Sequence, residues 1–174
     1  SLINFVEGVL INASPSNRGK IRQTALKAFS YYKEETVEKL KDDPYRLWSF
    51  GSFKDAETFA SAMNINIDDE RRLICGVEEA IYRKLKDGST QVFPLEFQVE
   101  LEKVVGKDLA LQAIIAANNA ANTSAPRIIV KHQQLNPSEH KWATEMRAET
   151  VHPQLYNQTY ALPGPALMEQ YVQQ

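Results

Sequence analysis

The chain has 174 residues, 43% hydrophobic and 24% charged, with a formal net charge of −2. That suits one or two small globular domains and excludes the broad basic surface of an autonomous nucleic-acid binder, though not a local cluster of Lys and Arg. Cys75 is the only cysteine, which rules out an intrachain disulfide or a cysteine-rich zinc site. Residues 2–11 (LINFVEGVLI) form an apolar run that contains Glu7 and has no basic leader, so it is not a signal peptide. Its period does not separate helix from strand. A turn-rich loop follows from Asn12 to Gly19. Ile21 to Tyr32 is predicted helical, with Ile21, Ala25, Ala28, Phe29 and Tyr32 on one face. Lys33 to Lys41 follows as a second helix with a solvated face of Glu34, Glu35, Glu38, Lys39 and Lys41.

The stretch from Asp42 to Met63 is the pivot of this half. Pro44 ends the preceding helix, since it lacks an N–H and disfavours helical geometry at Asp43. Gly51 and Ser52 break the chain again after a short connection. A helix from about Lys54 to Met63, capped by Ser52 and ended by Asn64, carries Ala56, Phe59, Ala60 and Met63 on one stripe. Asp68 or Asp69 then caps a longer helix to Lys86, with Leu73, Val77, Ile81 and Leu85 repeating every fourth residue. Arg71 and Arg72 sit in its first turn, the unfavourable end for cations, which makes them candidates for an external anion. Asp87-Gly88 stops that helix.

Beyond Gly88 the order changes. Ser89 to Pro94 is β-like, and Leu95 to Val104 is a helix with Phe97, Leu101 and Val104 inward. Lys107 to Asn122 is an alanine-rich helix, and Arg127 to Lys131 a strand. A polar stretch, 133–157, carries a helical piece around Glu139 to Ala148. Gln158 to Leu162 is a second strand, and Ala166 to Gln174 starts a helix with Leu167, Met168, Tyr171 and Val172 apolar. The expected division is a helical domain over 1–88 and a winged-helix-like module with a small hairpin over 89–174. The chain reads as an excised piece of a longer protein.

No G-x-x-x-x-G-K-[ST], H-E-x-x-H or G-x-S-x-G occurs, so no catalytic residue and no nucleotide or metal cofactor is expected in this piece. His132, His140 and His152 do not share a helical face, and no metal site is expected of them. Tyr31-Tyr32 and Trp48-Phe50-Phe53 are the aromatic groups able to stack on bases; core positions are the preferred reading for all five. Lys54, at a helix start, is either a phosphate contact through its charge and the neighbouring amides or a solvated lysine.

Residues 33–47 (KEETVEKLKDDPYRL), Phe53-Lys54-Asp55-Ala56 and Gly88-Ser89-Thr90 together resemble the region upstream of the motor in RecD-like helicases of superfamily one, such as the exodeoxyribonuclease V alpha chain and conjugative TraA-like proteins. In that family a D-P-Y-R-L-type element precedes a helix-hairpin-helix with a G-I-G-F-K-x-A-D core. The resemblance implies a mainly α fold, a helical bundle with a helix-hairpin-helix followed by a winged-helix-like α+β module. It implies DNA and the motor domain of the same chain as partners, ATP and Mg in that motor only, and a cytoplasmic place without membrane contact. Phe50 and Ser52 stand where the two hairpin glycines belong, so the hairpin is degenerate. The carried-over DNA-phosphate contacts are Gly51, Ser52 and Lys54, with Arg71 and Arg72 added from their position. The competing implication is a helical, slightly acidic interaction module that docks on the motor, or on a recombination or conjugation partner, without touching DNA.

Overall fold

The structure is a computed structural model and describes residues 1–86, 94–121, 129–132 and 158–161. Its contacts separate two compact units, and the division falls after Cys75. The expected boundary at Gly88, most of the β-like segment at 89–94, and the helical pieces at 139–148 and 166–174 lie outside the described residues.

The first unit is all helical among the described residues. The apolar run of residues 2–11 resolves into helix α1 (Leu2–Leu10), capped by the Ser1 hydroxyl, with Val6 and Leu10 buried. Helix α2 (Arg18–Tyr32) follows a 3₁₀ turn at Pro15–Asn17 and buries Ile21, Thr24, Ala25 and Ala28. Phe29 does not join that face; it is exposed. At its C-terminal end Lys33 takes φ +56°, a region that L side chains rarely occupy. The expected helix from Lys33 therefore begins as a 3₁₀ turn (Lys33–Glu35) and becomes helix α3 (Thr36–Asp42) one turn later.

The connection after α3 is a correction to the sequence reading. Pro44–Phe50 is not a turn and loop but a seven-residue 3₁₀ helix. Asp43 is extended, as a residue before proline must be, and its carboxylate accepts from the Tyr45 amide at 2.9 Å. With three residues per turn, Pro44, Leu47 and Phe50 form one ridge and Tyr45 and Trp48 another. All five are buried, as is Ser49, and only Arg46 is partly exposed. Burying large apolar side chains at about 1.5–3 kcal/mol each anchors this segment against any swing toward a ligand.

Helix α4 (Phe53–Ala62) is capped by Ser52, whose hydroxyl accepts from the Asp55 amide at 3.1 Å. It ends in a Schellman arrangement: Asn64 takes φ +64°, and the Ile65 amide donates to the Ala60 carbonyl at 3.0 Å. Phe59 of α4 meets Phe5 of α1 edge to face at 6.0 Å, and Phe53 lies 6.1 Å from Tyr45. The core of this unit is thus aromatic, built from Tyr45, Trp48, Phe50, Phe53 and Phe59.

Helix α5 (Glu70–Leu85) crosses the division. In the second unit, Gly76 brings it against helix α6 (Pro94–Val105): a Cβ at Gly76 would stand 2.4 Å from Val105 Cγ1. Gly106, at φ +91°, closes α6 and admits helix α7 (Lys107–Ala121). The core is small and aliphatic apart from Phe97: Val77, Ala80, Ile81, Leu101, Ala110, Ala113, Ile114 and Ala117. Two strands, β1 (Ile129–His132) and β2 (Gln158–Ala161), pair antiparallel with Ile129 opposite Ala161. They match the two strands expected from the sequence to within a residue or two.

Candidate nucleic-acid interface

The predicted contacts divide into two groups. Gly51, Ser52 and Lys54 lie together at the start of α4. Ser52 and Lys54 are exposed, and Gly51 is half-buried. The freedom of Gly51 is already used: a Cβ there would meet Thr24 of α2, with Oγ1 at 2.6 Å and Cγ2 at 2.8 Å. The glycine lets the chain pass close over a helix. The two positions that carry glycine in the family hairpin have structural roles here. Phe50 is a fully buried core plug, and the Ser52 hydroxyl caps α4. The Lys54 side chain forms no ion pair among the described residues.

Arg71 and Arg72 form the second group, and their guanidinium groups are engaged internally. Arg71 donates to both carboxylate oxygens of Asp69 at 2.9 Å and to the Asp42 carbonyl at 2.9 Å. Asp69 is also the helix cap, accepting from the Arg71 amide. The hydrogen bonds from Arg71 hold the Asp69 carboxyl below its ordinary value, and Asp69 in turn raises Arg71. A cation unfavourable at the start of α5 is therefore favourable at the end of α3, where it satisfies a terminal carbonyl. Arg72 is only 8% exposed. It donates to Glu57 at 2.7 Å and 3.4 Å and to the Ile67 carbonyl at 2.8 Å. The Tyr45 hydroxyl donates to the same Glu57 oxygen at 2.6 Å. Burial and that carboxylate push the Tyr45 hydroxyl well above its ordinary range. Neither arginine is brought to the Gly51–Lys54 turn by any contact in the described residues.

Sequence reading missed a third group, on α2. Its fifteen residues contain Arg18, Lys20, Arg22 and Lys27 and no carboxylate, in a chain of net charge −2. Arg18 donates to the Ala13 carbonyl at 3.0 Å, and Arg22 pairs with Glu7 of α1, lowering that carboxyl through the hydrogen bond. Lys20 and Lys27 are exposed and form no ion pair among the described residues. Tyr31, expected in the core, is 48% exposed. Its ring rests on Tyr32 at 5.1 Å and on Phe50 at 5.7 Å. Tyr32 itself lies under Lys39 at 5.9 Å and Arg46 at 6.0 Å. The missing carboxylates were the available signal, visible only when charge is counted helix by helix.

Residues 16–91 match the family model for the ATP-dependent RecD2 DNA helicase HHH domain. The matched span begins in the 3₁₀ turn before α2 and takes in α2 to α5 with the Pro44–Phe50 segment. The match supports a RecD-like helicase N-terminal region here, and the mainly helical structure agrees with it. No match is found among curated proteins or among solved structures. Among the described residues no helix is long and apolar enough to cross a membrane, and no cluster of three or more metal-ligating side chains occurs.

Proposed function

We propose that the chain is a non-catalytic accessory region of a RecD-like, ATP-dependent DNA helicase, contributing DNA contact or scaffolding to strand separation. The carrying observation is the helix-hairpin-helix match over 16–91 on a helical unit in which Lys20, Lys27 and Lys54 form no ion pair among the described residues. ATP and Mg belong to the motor of the parent chain, and residues 89–174 supply a winged-helix-like module leading into it. The protein works in the cytoplasm, off the membrane.

The test is a comparison within the parent. Removing residues 16–91 lowers strand separation at least tenfold and leaves ATP hydrolysis by the motor within a few-fold of normal. Equal unwinding by both forms removes the accessory role. ATP hydrolysis by residues 1–174 alone removes the non-catalytic reading.

A second reading has its own observation. Between α1 and α2 runs an apolar trough of about 240 Å³ lined by Leu2, Ile3, Val6, Ala25 and Leu26, with Glu7 and Arg22 at its rim. Ile3 and Leu26 are more than half exposed. Such a face suits docking on the motor without DNA contact. Leu26→Asp abolishing capture of the isolated motor would support it; capture unchanged would not.

A further inference from the structure

The edge of α2 that borders the Gly51 turn is the surface with the most unassigned chemistry. Thr24 faces Gly51 directly. Lys20, Lys27 and Tyr31 lie four residues before it and three and seven after, so they share its side of the helix, with the covered Thr24 between the two lysines. At 1.5 Å per residue the stretch from Lys20 to Lys27 rises about 10 Å. That is the span of about three stacked nucleotides at 3.4 Å each. Tyr31 follows, supported from behind by Tyr32 and Phe50. Phe50 precedes Gly51, so the same turn leads to Ser52 and the exposed Lys54.

We propose that this edge, Lys20, Lys27 and Tyr31 continued by Lys54, is a path for single-stranded DNA, with phosphates on the lysines and a base stacked on Tyr31. The proposal rests on the DNA-helicase reading and deepens it. Three observations favour a single strand over a duplex or a protein. Tyr31 offers an open ring in a fixed pose, which stacks on an unpaired base irrespective of sequence. Lys20 and Lys27 stand about two turns apart on one side of α2, a spacing that phosphates of one backbone can meet. The helix bears no carboxylate that would repel phosphate. A basic path of this kind operates in an acidic chain because only a few charges must be local.

The experiment measures anisotropy of a labelled dT15 strand against the 174-residue chain between 50 and 200 mM salt. A 15-base-pair duplex and a matching RNA strand serve as comparators. Tyr31→Ala weakens dT15 binding at least about fivefold, whereas Tyr31→Phe, which keeps the ring, binds within twofold. Lys20→Gln with Lys27→Gln reduces the magnitude of the salt slope by about 1.4, two phosphates at about 0.7 each. The lysine pair lies outside the core, so its result stands even if Tyr31→Ala unfolds. Normal dT15 binding by both Tyr31→Ala and the lysine pair overturns the path while leaving the helicase reading intact. Tighter duplex or RNA binding that ignores Tyr31→Ala overturns the single-stranded DNA assignment. No binding of any DNA at 50 mM salt overturns the path together with DNA contact by this region.

Discussion

Two pairs of cations invite opposite readings from sequence, and the fold reverses both. Arg71 and Arg72 look available because they sit at the wrong end of a helix dipole. Lys20 and Lys27 look ordinary. In the folded chain the arginines are closed off by Asp69, the Asp42 carbonyl, Glu57 and the Ile67 carbonyl. The lysines stand open on a helix without carboxylates. The difference follows from chemistry as well as place: a planar guanidinium fits carboxylates and carbonyls inside a fold, whereas a hydrated ammonium stays in water. An unfavourable local position therefore signals a distant internal partner at least as readily as an external ligand.

The comparison breaks most sharply at Glu57. Glu57→Ala leaves the buried Arg72 and the Tyr45 hydroxyl without their shared acceptor. Urea unfolding should show a loss of about 3 kcal/mol, the low end for a buried pair because Glu57 is partly exposed. The salt slope of any DNA binding by the folded fraction should not change. Next is Gly51→Ala, expected to cost about 2 kcal/mol through the clash with Thr24. Thr24→Ala in the same chain should recover part of that loss, and a double-mutant cycle reads the coupling.

Arg71→Ala should cost about 1 kcal/mol, since the pair is partly exposed. Its pH dependence has a fixed sign. The Asp69 carboxyl lies below its ordinary 3.8 in the folded chain, so the contribution is full above that value. It is lost as pH falls through the depressed folded value. Thermal melts of the parent chain and the variant should differ near neutrality and converge in acid. The smallest effect is expected from Gly19→Ala in the first turn of α2, where a Cβ meets nothing. It should stabilise by about 0.5–1 kcal/mol and leave dT15 affinity unchanged.

Helix ends were legible wherever one residue decides the backbone. Pro44, Ser52, Asn64 and Asp69 each stop or cap a helix as their chemistry predicts. The Pro44–Phe50 segment was not legible as a buried element, because a period of three matches neither the helical nor the strand pattern. Its aromatic content was the better clue, and Trp48, Phe50 and Phe53 are indeed core. Phe29 was misplaced because a face drawn at three- and four-residue spacing takes in its own margins. Tyr31 was never on that face; it was assigned to the core for its aromatic ring alone, and it lies exposed. The Ser52 cap was readable; the use of Gly51 against Thr24 was not, since it joins residues far apart in sequence.

Cys75 is 1% exposed, with its thiol against the Tyr45 carbonyl at 3.8 Å. A chain with one sealed thiol carries its own clock. Reagent reaching Cys75 must wait for the packing around the thiol to open, so the labelling rate reads the free energy of that opening. A cysteine placed at Lys20 or Tyr31 would react at once against that slow background, giving a position-specific reporter on the open edge of α2 without first removing the native thiol.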